Sequence, residues 1–151
     1  MKIFLGADHN GFKLKGKIKK WLKEWGYEYE DMGNSRYEAE DDYVDFAVKV
    51  GTAVGLGEVK GVLVCNSGAG MDIVANKIKG VRGVLGFKVS QVKESVEKDG
   101  VNVLSIPANY VSLRQVKKIL KIFLESKLRQ EEKYLRRIKK ISNLEKRNFI
   151  C

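Results

Sequence analysis

The stretch Gly61–Cys65, GVLVC, offers apolar side chains to both faces of any strand it forms, and this limits the fold more than any other feature of the chain. A strand buried on both sides belongs in the middle of a parallel sheet covered by helices on each face. The remaining sequence keeps to that plan, because short β-rich runs alternate with longer runs of helical period, as in repeated βαβ units. KIFLG (2–6) reads as a first strand, followed by Leu14, Ile18, Trp21, Leu22 and Trp25 at helical spacing, with Gly26 as a stop. YEYED (27–31) is a second strand and 42–54 a second helix; after GVLVC come a helix at 71–78, a strand at 80–87, a helix at 90–98, a strand at 102–106, and closing helices at about 112–126 and 131–146.

Five strands with these connections predict an α/β protein: a three-layer α/β/α sandwich around a doubly wound, Rossmann-like parallel sheet in the order 2-1-3-4-5. One domain is expected over 1–151, with a basic helical extension over about 127–147. Ligands of such sheets bind beyond the carboxyl ends of the strands where the winding reverses, here between strands one and three. Strand one runs into ADHNG and strand three into CNSGAG, so the single histidine, His9, and the internal cysteine, Cys65, flank the expected crevice.

Composition narrows the alternatives. No apolar run approaches the roughly 20 residues of a membrane helix, and MKIFLGADHNGF is unlike a signal peptide, so a cytoplasmic location is expected. Cys65 and Cys151 lie far apart in sequence, which argues against a disulfide framework, and one histidine supports no clustered zinc site. The net charge of +10 is uneven: Arg114–Arg147 holds thirteen Lys/Arg against four Glu, leaving the rest of the chain nearly neutral. A basic helical tail of this kind is first a solvated face, then a device for phosphate capture or subunit contact, and last a nucleic-acid-binding element.

A cysteine ahead of a Gly-rich turn that opens a helix is well placed to become a thiolate, because unpaired backbone N–H groups favour negative charge. A phosphatase loop would need Arg at the position of Met71, a redox motif would need a second Cys near Asn66–Gly68, and neither a Walker A sequence nor G-x-G-x-x-G after strand one is present. Spacing alone leaves Cys65 open between a buried core residue and a catalytic one.

GADHNGFKLK (6–15), DYVDFA (42–47), VCNSGAGMDIVANKIKGVRGVL (64–85) and NVL (102–104), in that order and at those separations, resemble the RpiB/LacA/LacB sugar-phosphate isomerases, most nearly the type B ribose-5-phosphate isomerases. The resemblance covers nearly the whole chain. It implies interconversion of an aldose and a ketose phosphate through an enediolate, without metal or organic cofactor. It implies Cys65 as base and Ser67 as hydroxyl partner, with Asn66 and the amides of Gly68, Ala69 and Gly70 around the substrate oxygens. Asp8 and His9 match the family's Asp-His pair, which binds the sugar oxygens and the phosphate end, and Tyr43 matches the tyrosine that lines the pocket there. Asn76 and Lys77 read as structural. The family's homodimers, in some cases tetramers, share active sites across the interface, so the C-terminal helices are expected at a dimer interface with Lys133 and Arg137 reaching the partner's phosphate.

Departures from the family pattern fall on functional positions. Lys98 and Asp99 stand where the family has His-Asn, the histidine being associated with ring opening. Asn109 replaces a phosphate-binding arginine, and Glu131, Glu132, Lys133 and Tyr134 replace Gly-Gly-Arg-His. Lysine is a poorer proton shuttle than imidazole at neutral pH. These changes keep open an isomerase of another sugar phosphate, such as allose or galactose 6-phosphate, and a weakened sugar-phosphate-binding homologue.

Overall fold

The computed structural model describes residues 1–148; Cys151, and with it the expectation against a Cys65–Cys151 disulfide, lies outside the described residues. The elements are β1 Lys2–Ala7, α1 Phe12–Glu24, β2 Glu28–Asp31, α2 Tyr43–Gly55, β3 Lys60–Cys65, α3 Ala69–Ala75, β4 Gly83–Leu85, α4 Val89–Asp99, β5 Val103–Pro107, α5 Leu113–Glu125 and α6 Glu132–Asn148. All strand pairs are parallel.

Alternation along the central strands sorts the core into two layers. Ile3, Leu5, Ala7, Val62, Val64, Leu104 and Ile106 face α1, α4 and α5 through Ile18, Leu22, Val92, Val96, Val116, Ile119, Leu120 and Phe123. Leu63, Cys65 and Val103 face α2 and α3 through Phe46, Ala47, Val50, Val54, Met71 and Ala75. The three-layer sandwich follows directly from this division.

The sheet order is β2-β1-β3-β5-β4, which corrects the expected 2-1-3-4-5. The last two strands exchange places because β5 is buried at all five positions, whereas β4 is three residues long and half-exposed throughout. A short strand with incomplete cover is an edge strand. The expected strand at 80–87 shrinks accordingly: Arg82 turns aside to donate to the Gly100 carbonyl at 2.8 Å. Asn76 is structural, receiving Gly83 N–H on Oδ1 at 2.8 Å and pinning α3 to β4.

The basic tail is partly explained by packing. The apolar face of α5 enters the core, while Lys117 and Lys121 lie 5.5 to 5.8 Å from the rings of Trp21 and Trp25 on α1. Helix α6 crosses the amino-terminal end of the sheet, where Glu145 accepts from Gly80 N–H at 3.0 Å. No helix among the described residues is long and apolar enough to cross a membrane.

Candidate active site

Two turns meet at the carboxyl ends of β1 and β3. Gly11 closes the first of them against the second: a Cβ there would stand 2.1 Å from the Val64 carbonyl oxygen, so the turns can touch only where no side chain intervenes. In the first turn Asp8 is 5 % exposed and accepts from Gly11 N–H at 3.0 Å. In the second, Gly68 holds a left-handed φ of 75°, which favours glycine. That conformation turns its N–H onto Cys65 Sγ at 3.2 Å.

Cys65 is nearly buried. Burial pushes its thiol above the ordinary range; the N–H groups of Gly68, Met71 and Ser67 pull the other way, and the nearby Asp8 carboxylate adds to the rise. In the single chain the neutral thiol is therefore favoured. The turn amides oppose that outcome without reversing it, which differs from the expectation of a thiolate made by the turn alone. Two of the three amides expected around substrate oxygens are engaged in the single chain: Gly68 N–H with the sulfur, and Ala69 N–H with Ser67 Oγ at 3.4 Å.

The corrected strand order bears on the site. With β5 beside β3, Ala108 N–H donates to the Cys65 carbonyl at 2.9 Å and Asn109 N–H to the Asn66 carbonyl at 3.1 Å. The Asn109 side-chain amide then donates to Asn66 Oδ1 at 2.6 Å. The Tyr43 ring closes the side of the turn, since a Cβ on Gly70 would come within 2.8 Å of it. Asp8, His9, Tyr43, Cys65, Asn66, Ser67, Gly68, Ala69, Gly70 and Asn109 thus gather at one end of the sheet.

Lys98, Asp99, Lys133 and Arg137 are not brought to that end. Helix α4 leads from the carboxyl end of β4 back to the amino end of β5, and its eleven residues carry Lys98 and Asp99 about 16 Å along the helix axis. There Lys98 pairs with Glu94, which raises its pKa. Arg129, Lys133 and Arg137 surround the buried Tyr134 ring at 5.5, 4.9 and 6.0 Å, and Lys133 also pairs with Glu131 at 3.1 Å. Within one chain the candidate residues are divided between opposite ends of the sheet.

Three residues that sequence reasoning passed over complete the first turn. Asp41 Oδ1 accepts from His9 N–H at 2.9 Å and meets His9 Nδ1 at 2.8 Å. Asn34 Nδ2 donates to Asp41 Oδ2 at 3.1 Å. Lys15, with a side chain 3 % exposed, donates to the Asn34 carbonyl at 2.7 Å and to Asp31 at 2.9 Å. Asp41 carried no distinguishing signal, because it is one of five acids between Glu38 and Asp45. Lys15 did carry one: it is a lysine on the inward, apolar stripe of α1.

A family model described as Ribose/Galactose Isomerase matches residues 3–141. Ribose-5-phosphate isomerase B of Escherichia coli (strain K12) is 35% identical over 147 residues, covering 97% of each chain. Among solved structures, ribose-5-phosphate isomerase B of Clostridium thermocellum superposes with a TM-score of 0.92 at 35% identity, covering 97% of this chain and 99% of that one. The Mycoplasma genitalium enzyme, solved with bound ribulose-5-phosphate, superposes with a TM-score of 0.91 at 33% identity, covering 96% of each chain.

Proposed function

The chain belongs to the ribose/galactose isomerase family, and from that premise we propose that it interconverts ribose 5-phosphate and ribulose 5-phosphate through an enediolate, with Cys65 as the base. The observation that carries this reading is the meeting of the Asp8–His9 turn with the Cys65–Gly70 turn, which brings a sulfur, a hydroxyl, a carboxylate and an imidazole to the same end of the sheet. The sulfur removes the proton from C2 of the open-chain aldose and returns it at C1, while the O2 hydroxyl proton passes to O1 by way of the Ser67 hydroxyl. As it leaves, negative charge grows on the carbonyl oxygen, where Ser67 and the free N–H of Gly70 supply donors; one such donor contributes about 3 kcal/mol to the transition state. Asp8 and His9 hold the sugar hydroxyls, and Tyr43 and Asn66 with Asn109 bound the cleft.

Deprotonating Cys65 calls for positive charge that its own end of the chain does not place beside it. A homodimer that sets the amino-terminal end of one sheet against the carboxyl-terminal end of the other supplies it. Lys133 and Arg137 of one subunit then hold the phosphate of substrate bound by the other, and their charge favours the thiolate as well. This gives the basic helix α6 a use that its surface in a single chain does not explain.

The test is ketose formation from a panel of ribose, allose and galactose 5- or 6-phosphates by wild type and Cys65→Ala. Ribose 5-phosphate is expected to be preferred, and the variant to be inactive on it. Preference for a hexose phosphate would reassign the substrate, unchanged turnover in the variant would remove Cys65 as base, and binding without turnover on any of them would leave a sugar-phosphate-binding protein.

A further inference from the structure

A sugar phosphate closed into a ring has no carbonyl for the cleft to enolise, so a reaction starting from the ring needs an acid–base group beside the anomeric carbon. Lys98 is unsuited to the work. Its ammonium is paired with Glu94 and held in the charged form, and an ammonium has no lone pair with which to accept a proton. His9 lies on the turn that meets the Cys65 strand end at Gly11, and it has the electronic arrangement.

One carboxylate oxygen of Asp41 takes the His9 backbone N–H at 2.9 Å and faces Nδ1 at 2.8 Å. On the other side of the ring, Asn10 Nδ2 lies 2.9 Å from Nε2. An amide nitrogen only donates and a carboxylate only accepts, so a single neutral tautomer satisfies both contacts: the proton sits on Nδ1 and the lone pair on Nε2. Asp41 is itself fixed, its side chain 7 % exposed and its second oxygen held by Asn34. The His9 side chain remains 30 % exposed, so Nε2 is open to a ligand that displaces the Asn10 amide. This is the arrangement in which a carboxylate orients an imidazole and steadies the imidazolium that forms when it takes a proton.

We propose that His9 opens the sugar ring before enolisation, with Asp41 as the positioning residue that fixes its tautomer and orientation. Nε2 takes the proton of the anomeric hydroxyl; the O1–H electrons form the C1=O1 double bond while the C1–O4 pair withdraws onto the ring oxygen. The imidazolium then gives the same proton to O4. The products are the open-chain aldehyde and neutral His9, with no net transfer to or from the protein. The inference rests on the sugar-phosphate isomerase reading above, because it assigns a step that precedes the chemistry of Cys65.

Ribulose 5-phosphate cannot close a five-membered ring through its esterified O5, so exchange of its C1 proton with solvent reports enolisation alone. Net conversion of ribose 5-phosphate reports ring opening and enolisation together. The experiment measures both rates by NMR in D2O for wild type, Asp41→Asn and Asp41→Glu. Because an unfolded fraction lowers both rates alike, the ratio of conversion to exchange is the readout. In Asp41→Asn the ratio is expected to fall about tenfold or more, with partial recovery in Asp41→Glu. Equal losses in the two rates, or no loss in either, would overturn the proposal. A wild-type protein that exchanges no proton would instead overturn the isomerase reading.

The pH profile supplies a second check. The groups facing His9 are Asp41, then Asp8 and Glu40, all anionic, and the Asp41 hydrogen bond is the main cause of a raised imidazole pKa. Since Nε2 must be free to act, conversion falls on the acid side as His9 protonates. Removing the Asp41 charge moves that limb to lower pH, a change that a merely structural Asp41 would not produce.

Discussion

The Gly68 N–H points at the sulfur of Cys65 from 3.2 Å, and together with the amides of Ser67 and Met71 it works against the burial and the Asp8 charge that raise the thiol's pKa. The net direction is upward, so alkylation by iodoacetamide is expected to be slow at neutral pH and to accelerate with a midpoint above that of an ordinary thiol. Asp8→Asn removes a like charge and is expected to lower the midpoint. The measurement is made in a Cys151→Ser background with Cys65→Ala as blank. A midpoint below the ordinary thiol range in the isolated protein would contradict the balance described here.

Two glycines near the start of α1 should respond to alanine with opposite signs. A Cβ on Gly11 would meet the Val64 carbonyl oxygen at 2.1 Å and Val64 Cβ at 2.9 Å, so Gly11→Ala must push the first turn away from the second. Overpacking of backbone against backbone costs about 1–3 kcal/mol, and activity should fall with it. Gly16 lies inside α1, exposed, with nothing within 4 Å of an added Cβ. Gly16→Ala is expected to stabilise by roughly 0.5–1 kcal/mol. Urea unfolding midpoints decide both, and stabilisation by Gly11→Ala would remove the close contact from the account of the site.

The sheet, its helices and the placing of the turns after β1 and β3 at one end were legible because each depends on local patterning: GVLVC is apolar on both faces, and the helices carry their apolar stripes. Strand order was not. NVLSI and GVRGVLGF are similarly apolar read alone, and what separates them is how fully each is covered once folded, with β5 entirely buried and β4 half-exposed. The resemblance identified Lys98 as a position, while only the topology shows it at the opposite end of the sheet from Cys65. Asp41 was illegible for another reason, since its partner is 32 residues away and its neighbours in sequence are also acidic.

Asp31 links stability to the site. Burial alone would raise its pKa, but the bonds from Lys19, Lys15 and Gly33 N–H outweigh it and leave the carboxyl below its ordinary value. A lowered folded pKa means that the carboxylate's contribution is complete above the unfolded value and is lost as pH falls through the folded one. Asp31→Asn is expected to destabilise by about 3 kcal/mol at neutral pH, because Lys15 is left buried without its counter-charge. The deficit relative to wild type should shrink below about pH 4. Lys15 also holds the Asn34 carbonyl, so the variant should loosen the Asn34–Asp41–His9 chain and slow turnover even at temperatures where it remains folded. A deficit that stays constant from neutral to acid pH would show that the Asp31 charge is not what stabilises the loop.

The division of the candidate residues between two ends of the sheet makes a prediction about subunit exchange. If each cleft takes Cys65 from one chain and Arg137 from another, Cys65→Ala and Arg137→Ala homodimers each have two defective sites. A heterodimer of the two has one site with both defects and one with neither. Random reassortment of equal amounts makes half the dimers mixed, so mixing after mild dissociation should restore about a quarter of wild-type activity from two poorly active proteins. Arg137→Ala alone should show its loss mainly in KM, as expected when a phosphate ligand is removed, whereas Cys65→Ala loses kcat. If both residues served a cleft within one chain, every site in the mixture would keep one defect and no activity would return. Failure to recover activity in mixtures shown by mass to contain heterodimers would therefore remove the shared cleft, leaving Arg137 as one of the exposed cations around Tyr134.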